Sequence, residues 1–174
     1  MNPGLALCIS LLTISFAACS PTFDWRETAA EGSGITAMFP CRPDHHARSV
    51  ELAGATRPME MLVCSTGGAT FALSFVDIAD PAQVSAALAE LRQTALHNVQ
   101  AAQPEITPAS VGGMTPNAEA VQVSMAGRLP DGSAVQEHAV FFTKGLRLYQ
   151  GTVIGAKPAP EANRIFLSGF RFPG

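Results

Sequence analysis

Lysine is nearly missing from this chain. Of eleven basic residues only Lys144 and Lys157 are lysine, and fourteen acidic residues leave a formal charge of -3. Nucleic-acid binding, which rests on clustered positive charge against phosphate, is excluded on that balance. Charged residues of all kinds make up 14% of the sequence, against about 25% in an average globular domain, while hydrophobic residues reach 47%. Such a composition folds, and 174 residues leave room for one domain. Long hydrophobic runs are lacking too. The stretch Leu5 to Phe16 is apolar over twelve residues, well short of the roughly 20 that a membrane-spanning helix needs.

The signatures of catalysis are equally scarce. Gly-x-Ser-x-Gly, Gly-x-x-x-x-Gly-Lys-Ser/Thr and His-Glu-x-x-His do not occur, and Gly67-Gly68 lacks the surroundings of a phosphate loop. No Cys-x-x-Cys pair is present to poise a redox or metal thiol site. The sequence therefore implies no cofactor.

What is present begins with an export signal. Residues 1 to 18 carry no charged side chain and have signal-peptide length. Phe16-Ala17-Ala18-Cys19 resembles the lipobox of bacterial lipoproteins, in which small residues precede a cysteine that becomes the lipidated first residue of the mature chain. On that reading residues 1–18 are a lipoprotein signal peptide, residues 19–23 are the lipidated Cys19 and a short tether, and residues 24–174 form the folded domain. The other reading is an ordinary secretory signal cut near Ala18. Ser20 stands where Asp marks lipoproteins held at the inner membrane, so the expected location is the outer membrane, facing the periplasm. The membrane is then reached through lipid, since acyl chains contribute about 0.8 kcal/mol per buried methylene.

An exported chain sits in an oxidising compartment. With Cys8 removed and Cys19 acylated, Cys41 and Cys64 remain, enclosing 22 residues. Their pairing is expected to stabilise the fold by about 3 kcal/mol in the chain-entropy picture. It requires the segments carrying the two cysteines to lie side by side. The competing reading is a pair of free thiol ligands.

Along the domain the apolar pattern alternates between strands and a helix. Trp25 to Thr28 and Ile35 to Phe39 predict a hairpin, Arg48 to Leu52 a third strand, and Ala53 to Thr56 a loop. Pro58 to Ser65 and Thr70 to Asp77 flank a tight turn at Thr66-Gly67-Gly68. Asp80-Pro81-Ala82-Gln83 has the form of a helix start, and Val84, Leu88, Leu91, Ala95 and Val99 recur at helical spacing to about Gln100. Pro104 and Pro108 bracket a connecting loop. Glu119 to Gly127, Ala134 to Thr143 and Leu146 to Ile154 predict a meander. Pro158 and Pro160 introduce a last helix with Ala162, Ile165 and Phe166 on one side. The expected class is α+β: an antiparallel sheet of about six or seven strands, one long central helix and a short C-terminal helix.

Trp25-Arg26-Glu27 and the run Gly34-Ile35-Thr36-Ala37-Met38-Phe39-Pro40-Cys41-Arg42-Pro43 resemble the opening of small uncharacterised proteobacterial lipoproteins. In that group a glycine, an alternating strand and a Phe-Pro-Gly-Lys-Pro-like turn recur. The element order is similar to the PsbP-like fold, and the resemblance covers most of residues 24–174. It implies an antiparallel sheet flanked by helices. Cys41 stands at the family's turn glycine, which gives this sulfur a separate task.

Candidate chemistry is confined to soft and imidazole ligands. Met59 and Met61 share one face of a strand because side chains alternate with period two. His45-His46 lies in the loop before the third strand. Thioethers suit Cu(I), and imidazole takes Zn(II) or Cu(II). The plainer reading makes the methionines core fillers and sends adjacent extended histidines to opposite faces. Glu51 and Glu60 read as solvated edge charges, and His97 and His138 as surface histidines. Arg26, Arg42, Arg48 and Arg57 are nominees for a partner surface, since Arg favours recognition surfaces. The expected function is a noncatalytic cell-envelope lipoprotein that binds or scaffolds an envelope protein or ligand at a membrane surface. A periplasmic metal-binding protein and a hydrolase with a dispersed site are the alternatives.

Overall fold

The computed structural model describes residues 22–29 and 31–173. The signal segment and Cys19 lie outside the described residues. Nine strands and two helices follow one another among these residues: β1 (Arg26–Ala29), β2 (Thr36–Phe39), β3 (Asp44–Leu52), β4 (Ala55–Thr66), β5 (Ala69–Asp77), α1 (Val84–Asn98), β6 (Glu105–Pro108), β7 (Val121–Arg128), β8 (Ala134–Lys144), β9 (Arg147–Gly155) and α2 (Pro160–Ser168). The class is α+β. Seven strands form one antiparallel sheet in the order β3-β4-β5-β9-β8-β7-β6, and β1-β2 is a separate two-stranded ribbon.

Strand alternation divides the large sheet into two faces. Cys64, Phe71 and Val153 lie in one cross-strand row, and Leu73, Gly151 and Val140 in the next. This face receives α2, the β1-β2 ribbon and the C-terminal tail: Phe39 and Phe71 meet Phe166 of α2 edge-on at 5.1 and 5.4 Å. Met61, Ser74, Gln150 and Phe141 run along the other face. That face receives α1, whose Val84, Ala87, Leu88, Leu91 and Ala95 are buried. The fold is thus three layers deep, with the sheet in the middle.

Local chemistry explains the element ends. Asp80 accepts a hydrogen bond from the Ala82 backbone N–H at 2.9 Å, and Pro81 opens a 3-10 turn that leads into α1. The Gln83 side chain makes no capping bond to the first turn of α1. Thr66 and Ala69 close β4 onto β5 across Gly67-Gly68, both at positive φ.

Three expectations change. The loop expected at Ala53 to Thr56 is a two-residue turn, Ala53-Gly54, with φ of 53° and 69°, while Ala55 and Thr56 belong to β4. The loop bracketed by Pro104 and Pro108 contains the edge strand β6, exposed at all four positions. The third strand begins at Asp44, so His45 and His46 sit on β3 instead of in a loop. β6 and the first half of β3 face solvent on both sides, so backbone pairing holds them with little apolar burial and no apolar alternation announces them in the sequence.

Candidate functional site

The two cysteines come together as expected. Cys41, just after β2, and Cys64 on β4 form a disulfide with α-carbons 5.9 Å apart, inside the roughly 7 Å limit for such a bond. It fastens the small ribbon to the large sheet. The Tyr149 hydroxyl adds a second fastening by donating to the Ser33 carbonyl at 2.6 Å, and burial pushes its pKa up. Arg147 adds a third. It donates to both Asp77 oxygens at 2.7 Å and to the Gly32 carbonyl, over the ring of Phe75. The hydrogen bond from Arg147 holds the Asp77 carboxyl below its usual range.

The soft-ligand candidates do not assemble. Met59, 2% exposed, is a core residue on the α1 face, and Met61 lies two positions on along the same face. His46 is the cross-strand partner of Met61, but His45 projects to the other face, where it meets Glu60 at 2.7 Å. Among the described residues no three His, Cys, Asp or Glu side chains converge as a metal site would require. Glu51 accepts from the Thr56 hydroxyl and Glu60 is occupied with His45, so these carboxylates form no acid-base pair. Arg26 pairs with Asp24, and Arg57 donates to the Leu52 carbonyl at 3.1 Å.

The sheet does offer a site that sequence reasoning missed. On the α2 face, β7 and β8 extend beyond the cover that α2 provides, leaving a trough of about 450 Å³ between them. Its floor carries Gln122 and Ser124 from β7 and Gln136 and His138 from β8; its wall carries Asn163, Arg164 and Leu167 from α2, with Pro158 and Pro160 at one end. Ser124 and His138 are cross-strand partners, and Ser124 Oγ lies 3.0 Å from His138 Nδ1. His138, expected at the surface, is half-buried, and desolvation lowers its pKa, so the ring is neutral at pH 7. Arg164 is held by Glu161 at 2.6 and 3.0 Å on the same helix. The trough carries no unpaired charge.

One atom in it is out of balance. Asn163 is 7% exposed, and its side-chain Oδ1 is buried without a hydrogen-bond partner. A buried amide oxygen left unpaired costs about 1–3 kcal/mol. The period-3.6 pattern of α2 places Asn163 beside Ala162 and Phe166, and a polar residue among buried positions was the signal available in the sequence.

Ser124 and His138 have the contact of a nucleophile and a base, but the third member of such a group is misplaced. Glu137, adjacent to His138, points through the sheet to the α1 face. Glu105, which shares the row, pairs with Ser124 and not with the histidine. An acid that orients the imidazole must sit on its far side from the hydroxyl. The arrangement suits hydrogen bonding to a ligand better than proton transfer. A comparison with known protein families finds no match, and a comparison with curated proteins finds none either.

Proposed function

We propose that the chain is a noncatalytic cell-envelope lipoprotein of PsbP-like architecture, with α1 as its central helix, and that its domain is a binding module whose site is the trough between α2 and β7–β8. The observation that carries this reading is the trough itself, a cleft of about 450 Å³ with Gln122, Ser124, Gln136 and His138 on its floor, within the roughly 300–1,000 Å³ of ligand sites.

The anchor supports the same reading. The Thr66 hydroxyl donates to the Thr22 carbonyl at 2.6 Å, and Phe23 packs over Gly67, so the chain enters the domain at the β4–β5 turn. Cys19 lies three residues earlier, a reach of at most about 10 Å. Thr66, Ala69, Gly155 and Gln136 form one row across that end of the sheet. The Gln136 end of the trough thus lies at the end of the sheet where Thr22 enters the domain, which supports a ligand at the membrane surface.

The test has two parts. Mass spectrometry of the membrane fraction is expected to find a mature N-terminus at Cys19 bearing acyl groups. Affinity capture from membranes is expected to lose its accompanying envelope component when Gln136→Trp blocks the trough. A soluble mature protein starting elsewhere, or capture indifferent to the block, refutes the reading.

A further inference from the structure

We infer that the end of the domain at which Thr22 enters is a docking face for an anionic phospholipid bilayer. On it Arg42, Arg128 and Lys157 meet headgroup phosphates, and Leu129 and Pro130 enter the interfacial layer. The inference rests on acylation at Cys19 and adds how the anchored domain lies on its membrane.

Strand register defines this end. Thr66, Ala69, Gly155 and Gln136 form its last common row, and the β7–β8 hairpin goes on past it. Arg128 pairs with Ala134 two residues further, and the turn over residues 129–133 closes beyond them. At a strand's rise per residue that pair stands roughly 7 Å outside the row. Thr22 is bonded to Thr66, and Cys19 is three residues earlier in the chain. Acyl chains in a bilayer therefore keep this end within about 10 Å of the lipid, and on so short a tether the projecting hairpin reaches the surface.

Charge agrees with position. Arg42 follows the disulfide-bonded Cys41, Arg128 ends β7, and Lys157 stands two residues after β9. All three are exposed, and none forms an ion pair among the described residues. In a chain of net charge -3 such free cations are no by-product of a basic composition. At the opposite end of the same strands Arg147 is tied to Asp77, and Lys144 lies over the Phe172 ring. The carboxylates near the docking face are Asp44, Asp131, Asp24 and Glu161. Asp131 accepts from the Ser133 N–H and hydroxyl, while Arg26 and Arg164 neutralise the last two. Each cation at an anionic lipid surface strengthens binding about fivefold.

The same end carries apolar surface. On the α1 face the chain leaving α1 lies over Gly127. Beside it Ser65, Thr70 and Ile154 floor an open hollow of about 460 Å³, with Leu129 at its wall. Phe23 packs over Gly67 where the tether arrives. Cations around an apolar hollow match an interface that offers phosphate first and acyl carbon below it.

The experiment places the processed, acylated protein in nanodiscs of phosphatidylethanolamine and phosphatidylglycerol that contain a gadolinium-chelating lipid. Broadening of amide NMR signals then reports closeness to the headgroups. Gly132 and Ala156 are expected to broaden strongly, and Gly54 and Gly145, in turns at the opposite end, to stay sharp. Arg128→Gln with Lys157→Gln, both on exposed positions, is expected to lower the ratio of docked to free domain by roughly tenfold or more, read as loss of the contrast between the two ends at an unchanged melting temperature. High salt is expected to do the same to the unaltered protein, since exposed charges are screened.

Equal broadening at both ends, or a contrast that survives both the double substitution and high salt, overturns the inference. Mass spectrometry of the same sample separates the two levels. An acylated Cys19 without contrast between the ends leaves the lipoprotein reading standing and removes the docking face, whereas a protein without acyl groups refutes both.

Discussion

The two faces of the large sheet are covered by different means. On one, the fifteen-residue helix α1 lies over mostly aliphatic side chains and Phe141, and the chain leaving it approaches so closely that a Cβ on Gly127 would stand 1.8 Å from the Val99 carbonyl oxygen. On the other, the ribbon, α2 and the C-terminal tail share the cover, and the aromatic side chains gather there: Trp25, Phe39, Phe71, Phe142, Tyr149, Phe166, Phe170 and Phe172 form a chain of ring contacts. One continuous element seals a face. Several short ones need large rings and covalent or polar fastenings to stay down, and they leave a gap at β7–β8 where α2 ends its reach.

The comparison breaks most sharply at Phe166, which meets Phe39, Phe71 and Phe170 at 5.1 to 5.4 Å. Phe166→Ala is expected to cost about 3–5 kcal/mol in urea unfolding, and Leu88→Ala, under α1, about 2–5 kcal/mol. Native-state hydrogen exchange separates the two. Loss of Phe166 is expected to release amides of α2 and the ribbon ahead of the sheet, whereas loss of Leu88 lowers protection in the whole domain. Uniform loss in both variants would show that the pieced cover is as cooperative as the continuous one.

Next comes the disulfide, the covalent fastening of the pieced face. Cys41→Ser with Cys64→Ser is expected to cost about 2–5 kcal/mol while leaving the architecture intact. Reduction of the native protein is expected to give the same loss, read as a drop in the denaturation midpoint. No change on reduction would mean that Tyr149 and Arg147 suffice to hold the ribbon.

The α1 face has its own flaw, a buried carboxylate. Glu137 is 4% exposed, and burial pushes its pKa from 4.5 to about 7. The folded protein therefore keeps, between pH 4.5 and 7, a proton that the unfolded chain releases. Stability falls as pH rises through that window, is unaffected below it, and carries the full cost of about 3 kcal/mol above it. Glu137→Gln is expected to raise stability by up to that amount at pH 8 and by little at pH 4. An equal effect at both pH values would locate the cost elsewhere.

Sequence patterns revealed the sealed face more fully than the pieced one. Val84, Leu88, Leu91 and Ala95 repeat at helical spacing because one element buries them all against one surface. Phe71, Leu73 and Phe75 alternate in β5 too, although they lie on the pieced face, because a strand's own period marks the side it buries whatever covers it. The disulfide was legible from the export signal expected over residues 1–18 together with the cysteine count. The trough was not, because it arises where elements far apart in sequence fail to meet: Gln122, His138 and Asn163 belong to three segments, and no local pattern states how far α2 extends over β8. The reach of β3 through His45 and His46 was hidden similarly, since an exposed strand held by backbone bonds leaves no mark in side-chain hydrophobicity.

The smallest effects concern how the two helices begin, and they sharpen the contrast between the covers. α1 enters through Asp80, whose carboxylate accepts from the Ala82 N–H, while α2 has Ala159 at the same place with no side-chain bond, although Pro160 is well suited to its first turn. Asp80→Ala is expected to cost about 1 kcal/mol, and Ala159→Ser to gain a similar amount, both by thermal unfolding. Their effects on the trough differ. Asp80 stands before α1 on the sealed side, so its loss leaves capture by the trough unchanged; Ala159 stands between Pro158 and Pro160 at the trough's end, and a firmer α2 start is expected to strengthen capture slightly by holding the trough's wall in place. If Asp80→Ala weakens binding as much as it weakens the fold, the two covers are coupled through the sheet and their separation is only geometric.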